Sequence, residues 1–110
     1  MSEFVELQRD ATKENFHVML QTGNYVLWFW ASWCGPCRQM QPFVDDLRNM
    51  PGDFKVVKVD VDIHPKIACE FGIKNIPTTM IYKDGHEQER IAGGILETVL
   101  RDKIRATLNL

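Results

Sequence analysis

Apolar positions along this 110-residue chain change period several times, and each change marks a predicted element. The densest run is Tyr25-Val26-Leu27-Trp28-Phe29-Trp30-Ala31. It is apolar on both alternating faces, which predicts a strand covered on both sides at the centre of a sheet. Residues 55–62 behave differently, with Val57, Val59 and Val61 alternating against Lys58, Asp60 and Asp62, the period of a half-buried strand. Phe4, Val5 and Leu7 predict a short strand within residues 2–7. Residues 78–82 and 87–91 flank Lys83-Asp84-Gly85-His86, a hairpin signal.

Between these runs the period lengthens to that of a helix. Thr12 is placed to cap a helix whose Phe16, Met19 and Leu20 share one face and which ends at Gly23. Helical periodicity over residues 38–50 is interrupted by Pro42, which removes the hydrogen bond to the Arg38 carbonyl and predicts a kink; Met50-Pro51-Gly52 stops the helix. Pro65 opens a short helix with Ile67, Ala68 and Phe71 inward and Gly72 as terminator. Leu96, Leu100, Ile104 and Leu108, four apart, predict a last amphipathic helix. The order is βαβ-like in the middle, so the two inner strands are expected to pair in parallel. The whole reads as an α/β protein, a mixed sheet covered by helices on both faces, with residues 1–110 forming a single domain.

Composition narrows the function classes. A hydrophobic content of 45% suits one compact core, and a net charge of −2 without a long run of one sign argues against a nucleic-acid partner. Three cysteines are too few for a disulfide framework. No basic segment leads into an apolar signal-like region or a membrane span, so a reducing, cytoplasmic compartment and a monomer are the expectation.

The chemistry concentrates in Trp33-Cys34-Gly35-Pro36-Cys37, between the apolar strand and the helix that follows. A cysteine at a helix start meets unpaired backbone N–H groups and the positive end of the dipole, so Cys34 is placed to be a thiolate. Residues three apart at a helix start are neighbours, and a small adjustment brings Cys34 and Cys37 to the roughly 3.5–4.5 Å between Cβ atoms that a disulfide needs. Cys37 falls in the apolar stripe Cys37, Met40, Val44, Leu47 and faces inward, so attack is expected from Cys34 and resolution from Cys37. Gly35 lets backbone approach closely, and Pro36 fixes φ where its missing N–H costs nothing.

These residues, together with Lys58-Val59-Asp60-Val61-Asp62, Gly72-Ile73, Ile76-Pro77-Thr78, Lys83-Asp84-Gly85 and Gly93, make the sequence resemble the thioredoxin family over nearly its whole length. The resemblance implies a thioredoxin fold, five strands and four helices. It also implies a protein-disulfide reductase that needs no cofactor beyond the Cys34–Cys37 couple and no metal. Its partners would be disulfide-containing target proteins and, as electron source, a thioredoxin reductase or a low-molecular-weight dithiol. Trp33, at a strand end, can serve the core or a partner's surface; the resemblance places it beside the site with its indole N–H bonded to Asp62. Pro77 alone reads as a strand-entry proline, usually trans. The resemblance implies instead a cis Ile76–Pro77 bond, an Ile76 backbone that pairs with an extended substrate segment, and a Gly93 that lines the substrate groove.

One departure stands out. Where the family usually carries a buried aspartate under the second cysteine, this chain has Trp28. An indole donates one hydrogen bond and accepts no proton, so Trp28 either alters proton transfer or only fills core volume. Lys58, whose family counterpart lies near that aspartate, is expected to turn toward solvent or become easier to deprotonate. Cys69 falls on the exposed side of the short helix, and His17, His64 and His86 show no metal-ligand spacing. Two other functions compete: a specialised redoxin or disulfide isomerase, and a binding or scaffold module that keeps the fold without the chemistry. Gly35-Pro36 between the cysteines favours the reductant over an oxidase or isomerase, and the joint presence of Trp33, Cys34, Cys37 and Pro77 disfavours a scaffold.

Overall fold

The architecture is that of a computed structural model, described for residues 2–110. In chain order it comprises β1 (Glu3–Val5), α1 (Lys13–Leu20), β2 (Asn24–Trp30), α2 (Gly35–Asp45), a 3-10 turn over Asp46–Asn49, β3 (Lys55–Asp60), α3 (Pro65–Glu70), β4 (Thr78–Lys83), β5 (His86–Ala92) and α4 (Glu97–Leu108). The five strands form one sheet in the order β1-β3-β2-β4-β5. β1 and β2 each run parallel to β3, whereas β2–β4 and β4–β5 are antiparallel. This is the mixed sheet that the alternation of strand and helix signals predicts, with the five strands that the resemblance implies.

β2 is central because both of its faces are apolar. Val26 and Trp28 point to a core shared with Met40 and Val44 of α2 and with Leu100 and Ile104 of α4. Tyr25, Leu27 and Phe29 point to the opposite core, built with Phe16 and Leu20 of α1 and Ile67 of α3. Truncating one of these fully buried side chains to alanine would cost about 2–5 kcal/mol. The outer strand β5 carries Glu87, Glu89 and Arg90 instead, and charge on an edge strand discourages pairing with another chain.

The helices and strands end where local chemistry offers the backbone another partner. α1 stops at Leu20, earlier than the expected Gly23, which lies beyond it with φ +96°. α2 runs one turn past Pro42 to Asp45 and then tightens into the 3-10 turn, so its α-helical part is shorter than the expected 38–50. β3 stops at Asp60 although the alternation continues to Asp62. The Asp60 carboxylate accepts the N–H groups of Asp62 and Ile63 at 2.9 and 3.4 Å and turns the chain. The β4–β5 turn places Asp84 and Gly85 at φ 50° and 84°, the left-handed pair of a tight hairpin. Leu96, expected on the buried stripe of the last helix, is 71% exposed and occupies the N-cap position of α4 instead.

Candidate active site

β2 delivers the chain from the sheet centre directly to Cys34, the N-cap of α2. The Cys34 backbone is extended at φ −84° and ψ 115°, and its N–H donates to the Ala31 carbonyl at 3.2 Å. Its Sγ accepts the Cys37 backbone N–H at 3.2 Å, the role a serine or threonine oxygen plays at an ordinary helix start. Pro36 sits in the first turn, where no N–H is missed, and that turn carries no carboxylate. Arg38 adds positive charge nearby while its guanidinium donates to the Ser32 carbonyl at 3.3 Å. Backbone donors, dipole and side chains thus all favour negative charge on the Cys34 sulfur.

Cys34 and Cys37 are joined as a disulfide, with their Cα atoms 5.2 Å apart. The two sulfurs live in different surroundings. Cys37 is fully buried against Trp28 and Met40, while Cys34 stands at the helix mouth with 4% of its surface exposed. The Cys34 Sγ lies 3.8 Å from the Ile76 carbonyl oxygen. The Ile76–Pro77 bond is cis, as the resemblance implies. The Pro77 carbonyl in turn accepts the Gly93 N–H at 2.7 Å, so three chain segments meet at Cys34. Gly93 has φ +90°, a conformation that L side chains rarely adopt. At both Gly35 and Gly93, apart from the adjoining residues and, for a glycine in a helix, that helix's own backbone, no atom of the described residues lies within 4 Å of where a Cβ would stand. Close packing within the chain is therefore not what selects glycine at either position.

Trp33 is 64% exposed, and its indole N–H donates to the Asp62 carboxylate at 2.8 Å. A shallow groove of ≈ 210 Å³ runs beside it, lined by Val61, Ala68, Ile73 and Ile76 and by the charged Lys74. Among the described residues no three histidine, cysteine or acidic side chains converge as a metal ion would require. Among the described residues no helix is long and apolar enough to cross a membrane.

The surroundings of Trp28 correct one expectation. Lys58 neither turns to solvent nor loses a carboxylate: its Nζ donates to Asp45 Oδ1 at 3.0 Å and is only partly exposed. The ammonium also lies 5.8 Å from the Trp28 ring centroid and 5.5 Å from that of Trp30, and the two indoles are stacked at 5.9 Å. Two aromatic faces and the last residue of α2 therefore hold the charge. Sequence reasoning missed Asp45 because the contact joins β3 to the end of a neighbouring helix, which periodicity does not encode. Trp28 itself is fully buried, and its Nε1 finds no partner among the described residues.

The family profile described as Thioredoxin matches residues 8–106. The chain belongs to the thioredoxin family. Thioredoxin 1 of Synechococcus elongatus is 44% identical over 77 residues, covering 69% of this chain and 72% of that protein. Among solved structures, the N21Q mutant thioredoxin from Halobacterium salinarum superposes with a TM-score of 0.82 at 30% identity, covering 98% of this chain and 93% of the other. The reduced Schistosoma mansoni thioredoxin pre-protein gives 0.80 at 28% identity, covering 96% and 98%. As a thioredoxin, the chain is a thiol-disulfide oxidoreductase with Cys34–Cys37 as its redox couple. The thioredoxin fold expected from the sequence is the fold observed, five strands and four helices.

Proposed function

We propose that the chain works as one redox domain in a reducing, cytoplasmic compartment. There it acts as a monomer that donates electrons to disulfides of target proteins. The observation that carries this reading is the pairing of unequal sulfurs at one helix start. Cys34 Sγ, 4% exposed at the helix mouth, is served by the Cys37 N–H, and Cys37, bonded to it, has no exposed surface.

In the first step the Cys34 thiolate attacks one sulfur of the target disulfide. A Cys34–target bond forms, the target's S–S bond breaks, and the second target sulfur leaves as a thiolate. Cys37 then gives its proton to that thiolate and attacks Cys34 Sγ. The new Cys34–Cys37 bond expels the first target sulfur, which takes a proton from water. The target gains two electrons and two protons, and the Cys34–Cys37 pair loses two electrons. A thioredoxin reductase or a low-molecular-weight dithiol restores the dithiol.

Site-shaping roles follow from position. The Ile76 carbonyl beside Cys34 orients an extended target segment, Gly93 and Pro77 form the floor of its path, and Trp33, held by Asp62, supplies apolar contact at the rim. Gly35 leaves room over the disulfide, and Pro36 fixes the first turn. Trp28 supplies no base for the Cys37 proton, so the acceptor is another group, here the departing target thiolate in place of water. Lys58 Nζ is held by Asp45 on this face of the sheet.

Trapping tests the order of attack. Cys37→Ser mixed with an oxidised protein substrate should accumulate a mixed disulfide through Cys34, identified by peptide mass spectrometry, while Cys34→Ser should trap nothing. A stable adduct on Cys37 in the Cys34→Ser variant would overturn the assignment.

A further inference from the structure

The α4 start is at odds with helix-capping chemistry. Leu96 occupies the N-cap with extended backbone at φ −73° and ψ 152°, and it makes no side-chain capping bond. An aliphatic side chain accepts nothing from the first-turn N–H groups, so the helix forgoes the stabilisation that serine, threonine, asparagine or aspartate would supply. Leu96 does not recover that loss by packing, because it is 71% exposed. A residue that serves neither the cap nor the core points to a contact outside the chain.

Leu96 forms one wall of a groove of ≈ 390 Å³, with Pro36, Gln39, Phe43 and Ile95. No charged side chain lines it. The groove is continuous with the active site through Pro36, which lies between the two cysteines, and Pro36 Cβ lies 3.8 Å from the place a Cβ on Gly94 would take. It lies on the other side of the motif from the Trp33–Ile76 groove: its walls come from α2 and from the segment joining β5 to α4, not from α3 and the Ile76 loop. A polypeptide lying across Cys34 therefore meets an uncharged groove on this flank and, on the other, an apolar groove that also carries Lys74.

We infer that the Pro36–Phe43–Leu96 groove receives an apolar side chain, aliphatic or aromatic, from the target-protein segment that carries the attacked disulfide, and that Leu96 selects such targets. The absence of charge in the groove fixes the chemistry of its occupant. Continuity with Cys34 fixes its source as the segment presenting the disulfide. This inference rests on the reductase reading above.

The test uses two synthetic peptides, each disulfide-linked to a blocked cysteine, one with leucines on both sides of its cysteine and one with serines. Hydroxyethyl disulfide serves as a small reference. Wild-type protein should reduce the leucine peptide with a kcat/KM about tenfold above the serine peptide. Leu96→Ser should lose most of that preference through KM, reduce hydroxyethyl disulfide at the wild-type rate, and melt at a higher temperature because the cap is restored. Higher stability together with weaker selection of apolar flanks is an outcome that damage to the fold cannot imitate. Equal rates on both peptides in wild type, or an unchanged preference in Leu96→Ser, overturns the inference while leaving the reductase reading intact. Failure of wild type to reduce hydroxyethyl disulfide overturns both.

Discussion

The starts of α1 and α2 solve the same problem with different atoms. At α1, Thr12 Oγ1 accepts the Asn15 N–H at 3.0 Å and the Asn15 side chain accepts the Thr12 N–H at 3.4 Å, a reciprocal box that serves two backbone donors. At α2, Cys34 Sγ takes the corresponding place and accepts the Cys37 N–H at 3.2 Å. Sulfur is the weaker acceptor, so the second helix start is the less well served of the two. What it gains is a nucleophile whose anionic form the same N–H groups stabilise. One helix start is built for stability, and the other puts its capping atom to chemical use.

Substitution at the two caps should therefore give opposite results. Cys34→Ser supplies a good oxygen cap and should melt within about 2 °C of the reduced wild type, yet lose at least about 1,000-fold in disulfide reduction, since a hydroxyl is not a thiolate. Thr12→Ala should do the reverse. It lowers stability by about 1 kcal/mol, a drop of about 5 °C in Tm for a chain of this size, and leaves the reduction rate unchanged. Thermal melts read beside a turnover assay check both. If Thr12→Ala slowed turnover as much as it lowered stability, the division between the two helix starts would fail.

The smallest effect belongs to α3, whose N-cap is His64, without a side-chain capping bond. Burial lowers the His64 pKa from its ordinary 6.5; the Asp60 carboxylate opposes the shift and Arg9 adds to it. Glu6 and Lys58 line the same cavity. A folded-state pKa below the unfolded one means that the unfolded chain holds the proton more tightly. Stability is therefore full above pH 6.5 and falls as pH drops through 6.5 toward the folded-state pKa. His64→Gln should flatten that part of the Tm-versus-pH curve. An unchanged slope in the variant would assign the pH dependence to other groups.

The strands and the dithiol motif were legible because their signals are local. Two-sided apolarity made β2 central, and Asp84-Gly85 marked the hairpin, from neighbours alone. What escaped depends on side chains reaching across elements or turning back on their own backbone. Asp60 ended β3 by capturing two N–H groups, although Val61 and Asp62 kept the alternation going. Leu96 fitted the four-residue spacing of Leu100, Ile104 and Leu108, yet it lies at the cap rather than within the helix. Lys58 found Asp45, a partner on another element that no spacing reveals. The cis bond before Pro77 came from family resemblance alone, since an Ile-Pro pair carries no local mark of its isomer.

The equilibrium reduction potential of the Cys34–Cys37 couple, measured against glutathione and dithiol buffers, tests the central claim most directly. A reductant with Cys34 at a helix start and Cys37 as its buried partner should have a potential well below that of the glutathione couple, so that electrons flow outward to target disulfides. A potential well above it would make the chain an oxidant or isomerase of the same fold and contradict the account.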